Sequence, residues 1–541
     1  MVVGARVGEL EFPDVGDLDP QVEIRVRRTD ALPSRVMFQK LPWGSVPNHA
    51  PVCVDANCPD TQYQGLVKRL GRVLPALDDT FLRECETTVN QLFERYPEEF
   101  APLTFIQSVD QWLSQCSSYN EARKRELRLI AETLDPLQPD PHILKRFAKV
   151  KSFIKVEDYP SVKHARWINS RVDHFKVFWG PACKQIEQQV YRLKYFIKHV
   201  PVVSRPSVID KLFTAGAKYV STDYSAFESQ FRFEVMDHIE FVLYRRMLSN
   251  FPEYARIVCD VLGGDNLLST SYWRVKVPAR RMSGDMNTSL GNGFTNLVLW
   301  ATMARLCGIS WEDWDGFVEG DDGIFAIPDR HIWTPEEWAA RGFILKLSYV
   351  SQPGLASFCG VVSPDGVNTI RDPFAFLAKF GWSSTMIGCG TKVSWGLLRA
   401  KSLSVLYETP NCPIVSVLAR AALARCPQDI EARFTYDGYH TPPPSDFNVP
   451  AFRPTTRLRC CFEELYHISV DLQLSLERSI ESGDLNTLSD LLSTSAASNT
   501  VLGTELLDTV AASVMSTSFL IYRDGSSSAD YCPTRGSACH A

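Results

Sequence analysis

The 541-residue sequence predicts an α+β protein built from several subdomains. Three observations carry this. The run Tyr219-Val220-Ser221-Thr222 reads as a short strand ending in Asp223. Residues 316–327 read as a hairpin, because apolar runs flank Gly320-Asp321-Asp322-Gly323. Apolar residues recur at helical spacing in Leu66, Leu70, Leu74 and Leu77, in Leu127, Ile130 and Leu134, and from Val415 to Ala424.

The elements follow in chain order. Residues 1–60 are rich in Pro, Asp and Val, with strand-like runs such as Val22 to Arg28. Residues 61–140 read as helical. Residues 141–200 form a basic segment interleaved with aromatics. A helix is expected from Glu228 to Leu248, directly after the strand that ends in Asp223. A second is expected over 284–306, opening in a Gly-Asp-rich turn. A helix at 334–342 and a strand at 343–350 complete the middle, and the pattern turns helical beyond Ala375. From Ser482 onward Ser and Thr dominate, which predicts a loosely ordered tail with a helix near Thr504 to Val514.

Composition narrows the function. Hydrophobic residues make up 45%, enough for a substantial core. The net charge of -6 argues mildly against a nucleic-acid binder, but the charge is unevenly spread. From Pro141 to Lys198 there are 13 Lys and Arg against 4 Asp and Glu. With Phe153, Trp167, Phe175 and Tyr191 among them, these residues suit a folded element lining a charged channel better than a disordered arm. The 15 cysteines include no CxxC pair, which points to free thiols rather than zinc. The N-terminus lacks the apolar core of a signal peptide, and no stretch of eighteen apolar residues occurs. Membrane attachment, if any, is expected to be peripheral or supplied by a partner.

Three patterns carry chemistry. Paired acids at the hairpin turn, Asp321 and Asp322, suit a divalent cation, because Mg²⁺ takes one or two carboxylates plus substrate phosphates. An Asp-Gly turn by itself is also a common structural device. Asp223 offers a further acid from another strand, although a strand-terminal Asp alone also fits a helix cap. Ser283-Gly284-Asp285 opens a helix on which Thr288 and Asn292 share one face, offering hydroxyl and amide groups to a sugar; capping by Ser283 or Asp285 is compatible with this.

In order, the chain shows DYSAFE (223–228), SGDMNTSLGN (283–292) and GDD (320–322). These resemble motifs A, B and C of viral RNA-dependent RNA polymerases, most closely the tombusvirus, nodavirus and flavivirus-like assemblage of positive-strand RNA viruses. FIKVEDYPSVKHARWI (153–168) resembles motif F, RGFILKL (341–347) motif D, and SFCG (357–360) the motif E hairpin. The ordered match spans residues 153–360.

The resemblance implies a right-hand fold of fingers, palm and thumb, with an antiparallel palm sheet flanked by helices. It places an N-terminal extension and fingers at 1–140, fingers with the basic segment at 141–214, and palm at 215–370 with a fingers insertion near 249–282. Thumb follows at 371–481 and a tail at 482–541. It implies template-directed RNA synthesis, with Asp223, Asp321 and Asp322 holding two Mg²⁺ or Mn²⁺ ions. Lys155, Lys163 and Arg166 would hold the incoming NTP, with Glu157 as a structural partner. Ser283, Thr288 and Asn292 would read the ribose, and Lys346 would protonate pyrophosphate. Motif A usually carries a second Asp where this chain has Glu228; its longer carboxylate is expected near Asn292, in reach of the ribose 2′-hydroxyl. The implied partners are RNA template and product, NTPs, and viral replication proteins that supply membrane attachment at cytoplasmic replication complexes of the host. The rival readings are a reverse transcriptase-like palm enzyme and an inert RNA-binding component of a replication complex.

Overall fold

The computed structural model describes residues 2–3 and 14–499, apart from 31, 118, 136, 138, 158–162, 330–331 and 436–441. The centre is a four-stranded, wholly antiparallel sheet. Its strands run Leu345–Val350, Ala217–Tyr224, Asp322–Pro328 and Asp315–Glu319 across the sheet. The inner strands are dense in Val, Ile, Phe and Tyr, which suits a surface packed against helices. Thr288–Leu306 lies against the 315–328 hairpin and is buried almost all round. Trp300 from this helix stacks on Phe325 of the sheet, with ring centroids 4.1 Å apart. Asp79–Arg95 packs on the same helix, its first turn capped by the Asp78 carboxylate.

A second, five-stranded sheet joins distant parts of the chain. Its order is Glu23–Val26, Trp273–Val277, Asn266–Ser269, Lys149–Ile154 and Trp167–Arg171. One pair, 149–154 with 266–269, is parallel. The short strand Val36–Lys40 leaves this region and pairs with Trp382–Ser383 near the C-terminal helices. The described residues of the 1–60 stretch are therefore woven into two separate parts of the molecule. A second core is built by helices Thr391–Glu408, Val415–Arg425, Thr456–Tyr466 and Val470–Ser482.

The structure corrects three sequence expectations. The helix expected from Glu228 to Leu248 is interrupted after Gln230. The Gln230 side chain donates to the Ser225 and Ile344 carbonyls and accepts from the Ile344 N–H, which pins the chain to the sheet edge. The helix restarts at Phe233 and contains a π turn over Met236–Glu240. The Leu66 to Leu77 periodicity ends early. Pro59–Leu66 passes through a π turn, Val67–Gly71, into extended backbone at Arg72, so Leu74 and Leu77 lie beyond the helix.

The third correction concerns the tail. It does not loosen at 482: helix Asn486–Asn499 follows, and Leu485, Leu488 and Leu492 are buried in the second core. Their i, i+3, i+7 spacing forms an apolar stripe that the surrounding Ser and Thr conceal in the composition. Leu488 is fully buried, so Leu488→Ala is expected to cost about 2–5 kcal/mol. Thermal unfolding of the variant checks this, and an unchanged Tm would return these residues to a loosely packed tail. The helix expected near Thr504 lies outside the described residues.

Candidate active site

Strand register brings the sequence-selected acids together. Gly323 pairs with Thr222, so the next position sets Asp322 opposite Asp223. Lys346 pairs with Asp223 from the other side. Residues directly opposite in an antiparallel sheet project to the same face. Asp322, Asp223 and Lys346 thus form one row across three strands. Asp321 sits beside this row in the two-residue turn between Glu319 and Asp322, which are paired. Gly320 supplies the left-handed backbone of that turn, with φ of 60°. At Gly323 the constraint is space, because a Cβ would come 2.6 Å from Thr222 Oγ1.

The electrostatics show how crowded this charge is. Asp321 is open to solvent yet surrounded by protein, as on the floor of an open cleft. Its carboxyl is raised above the usual range by desolvation first and then by the Glu228 and Asp223 charges, while Arg166 pulls it back. Asp322 is pushed up to about 7 by desolvation and by Asp321, Asp223 and Glu319. Among the described residues, no three His, Cys, Asp or Glu side chains form a ready-made metal cage.

One residue that holds the turn escaped sequence reading. Asn296 points its amide at the Gly320, Asp321 and Asp322 carbonyls, at 3.3, 3.2 and 3.1 Å. The available signal was its spacing: Thr288, Asn292 and Asn296 follow every fourth position along a largely apolar helix. The Glu319 carboxylate at the hairpin base pairs with Arg205 at 2.9 Å. The hairpin Ser357–Phe358 to Val361–Val362 carries Cys359 within 3.8 Å of the same carboxylate.

The basic residues divide. Glu157 is buried and receives both Lys155, at 2.8 Å, and Arg166, at 3.1 Å. It therefore aligns the two cations, and Arg166 is near enough to Asp321 to stabilise its charge. Lys163 is exposed beside segment 158–162, which falls outside the description.

The sugar-selecting candidates are placed differently from one another. Ser283 Oγ donates to the Trp167 carbonyl at 3.1 Å, tying its loop to the five-stranded sheet. Thr288 Oγ1 bonds back to the Met282 and Asp285 carbonyls. Asn292 lies one turn further on, and its Oδ1 accepts from Arg281 Nε at 3.1 Å. Arg281 is fully buried against Glu240, whose carboxylate also receives Asn287 and Tyr244. Glu228 was expected beside Asn292. Its recorded partner is Arg69, at 3.0 Å, with Arg72 bonded to the Ser225 carbonyl alongside. The cause is the N-terminal π turn, which carries Arg69 onto this loop.

No family model matches the chain. Curated relatives do. The chain is 25% identical over 295 residues to the RNA-directed RNA polymerase of Atlantic halibut nervous necrosis virus, covering 51% of this chain and 29% of the relative. It is 25% identical over 211 residues to the enzyme of greasy grouper nervous necrosis virus and 26% identical over 215 to that of striped jack nervous necrosis virus. These two alignments each cover 37% of this chain and 21% of the relative. The aligned stretch thus spans less than a third of the relatives' own length. Motif order and these relatives agree: the chain is related in sequence to the viral RNA-directed RNA polymerases.

Proposed function

We propose that this protein is an RNA-dependent RNA polymerase that joins NTPs to an RNA 3′ end under the direction of an RNA template. One observation carries the reading above the others. Strand register sets Asp322 across from Asp223 with Asp321 in the adjoining turn, which gathers three carboxylates at one end of the sheet, and Arg166 is near enough to act on Asp321. An inert RNA-binding component has no use for repelling carboxylates beside a cation.

In this reading the central sheet is the palm, the five-stranded sheet belongs to the fingers, and the C-terminal helices form the thumb. Asp223, Asp321 and Asp322 would hold two Mg²⁺ or Mn²⁺ ions, which neutralise charge on the attacking and leaving oxygens. Desolvation and mutual repulsion raise the Asp321 and Asp322 carboxyls, and a dication held there would relieve that repulsion. Arg166 and Lys155, set by Glu157, grip the triphosphate, with Lys163 beside them. Lys346, across from Asp223, would give a proton to departing pyrophosphate. Thr288 and Ser283 shape the loop that carries Asn292 to the ribose. Asn292 Oδ1 is taken by Arg281, which leaves the amide N–H groups to donate. We place the work in the host cytoplasm, on membranes to which other replication proteins attach the chain.

Primer extension with purified protein, an RNA template and Mg²⁺ or Mn²⁺ tests the function. Incorporation of NTPs is expected, whereas preference for dNTPs would favour the reverse transcriptase reading. Arg166→Ala is expected to raise the KM for NTP more than it weakens RNA binding. A change in RNA affinity alone would remove Arg166 from the triphosphate site.

Sugar selection gives a separate result. Arg69 fixes the Glu228 carboxylate near Asp321. A 2′-hydroxyl would add a second donor to this carboxylate, and losing one hydrogen bond to a charged group costs about 1.5–3 kcal/mol, or roughly 13- to 160-fold in rate. Glu228→Ala is expected to lower the kcat/KM ratio of GTP over dGTP within that range. An unchanged ratio makes Glu228 a structural partner of Arg69 and leaves selection to Asn292.

A further inference from the structure

The five-stranded sheet buries one face and leaves the other open. Val150, Ile154, Trp167, Leu268, Val275 and Val277 fill the buried side. On the open side, register aligns one row across all five strands. Arg25 pairs with Arg274, Arg274 with Ser269, Ser269 with Lys151, and Lys151 with Ser170. Every member of this row is a cation or a hydroxyl. With strands about 4.8 Å apart, the row spans about 19 Å.

This row is unusual in its charge. Arg25 and Arg274 are exposed cross-strand neighbours of like sign, a pairing that destabilises a sheet. The nearby acids are already engaged: Glu23 and Asp265 both pair with Lys276, at 3.5 and 3.0 Å, and Glu23 reaches Arg25 only at 3.8 Å. Lys149, Lys151 and Arg274 have no ion-pair partner among the described residues. An open groove of about 530 Å³ runs beside the row, lined by Arg27, Lys149, Lys151, Ser269, Thr270 and Ser271. Arg27 extends over it and donates to Ser269 Oγ at 3.1 Å. Phe153, on the same strand face as Lys149 and Lys151, is 36% exposed.

We propose that this open face is a binding site for single-stranded RNA, outside the site of chemistry. The phosphates lie along the row Arg25, Arg274 and Lys151, the Ser269 hydroxyl donates between them, and Phe153 offers a stacking surface for one base; Ser170, whose hydroxyl donates to the Gly284 carbonyl, closes the row at its inner end. Cations spaced along an open sheet with an exposed aromatic meet the two requirements for holding an unpaired strand: backbone neutralisation and base stacking. An acidic protein would satisfy the cations but leave the exposed Phe153 ring without a role. The proposal takes only the identity of the polyanion from the polymerase reading.

The test is fluorescence anisotropy of a short, unstructured oligoribonucleotide titrated with the full chain at several salt concentrations. Each phosphate contact on a single strand contributes about 0.7 to the slope of log K against log salt. Lys151→Ala/Arg274→Ala is expected to lower the slope by about 1.4 and to weaken binding on the order of 25-fold at 0.1 M salt. Both positions are exposed, and matching circular dichroism confirms the fold. Phe153→Ala is expected to weaken binding without changing the slope. An unchanged slope in the double variant overturns the proposal, as does binding of an acidic peptide but not of RNA by the wild type. Asp321→Asn separates this from the catalytic reading, since it is expected to keep the wild-type slope whatever happens to nucleotide incorporation.

Discussion

Asp321→Asn is expected to lower nucleotide incorporation by on the order of a thousandfold or more, because a metal-held negative charge supplies several kcal/mol to the transition state. The substitution conserves shape, and Asn296 grips the backbone carbonyls of the turn rather than its carboxylates. The hairpin should therefore stay in place. Removing one charge from the repelling group also relaxes Asp322, whose carboxyl is raised in part by Asp321. Folded-state stability is thus expected to hold or rise slightly while activity collapses. The measurement is single-nucleotide extension beside a thermal melt. Retained incorporation would remove Asp321 from the proposed metal site, and a large drop in Tm would make it a structural residue.

Arg281→Met is expected to have the largest effect on stability. Arg281 and Glu240 are both fully buried and paired with each other. Removing one partner of such a pair leaves a buried charge and typically costs about 3–5 kcal/mol. The loss would reach the proposed sugar site as well, since Asn292 Oδ1 loses its donor. Asn287 and Tyr244 also bond to the Glu240 carboxylate and would be left to hold it alone. The second-site change Glu240→Gln removes the orphaned charge, so the double variant is expected to regain a good part of the lost stability. Chemical denaturation of the single and double variants decides this. Equal stabilities of wild type and Arg281→Met would show that the network carries no net energy.

Much of the candidate site could be read directly from the chain. Asp223, Asp321 and Asp322 stood out because they end or join short apolar runs, and strand pairing then depends on local pattern and turn chemistry. The hairpin expected at 316–327 and the helix expected over 284–306 followed from the same local rules and stand at 315–328 and 288–306, whereas the antiparallel sheet was implied by the motif resemblance. Glu157 as a partner of the basic residues was legible too, because it lies within two and nine positions of Lys155 and Arg166.

What the sequence left open was set by contacts between distant segments. Arg69 meets Glu228 across 159 positions, and no periodicity announces such a pair. The Arg281–Glu240 pair needed the π turn over Met236–Glu240, an irregularity inside a stretch that looks like plain helix. The buried stripe of Leu485, Leu488 and Leu492 was masked by its Ser and Thr neighbours until the second core gave it something to pack against. The row from Arg25 to Ser170 exists only because four connections bring five strands into one register. Local sequence determines which residues turn, alternate or coil, because those preferences act over a few bonds. Which charges neutralise one another and which remain facing an open cleft or sheet is decided by tertiary structure, because it depends on which surfaces exclude water together.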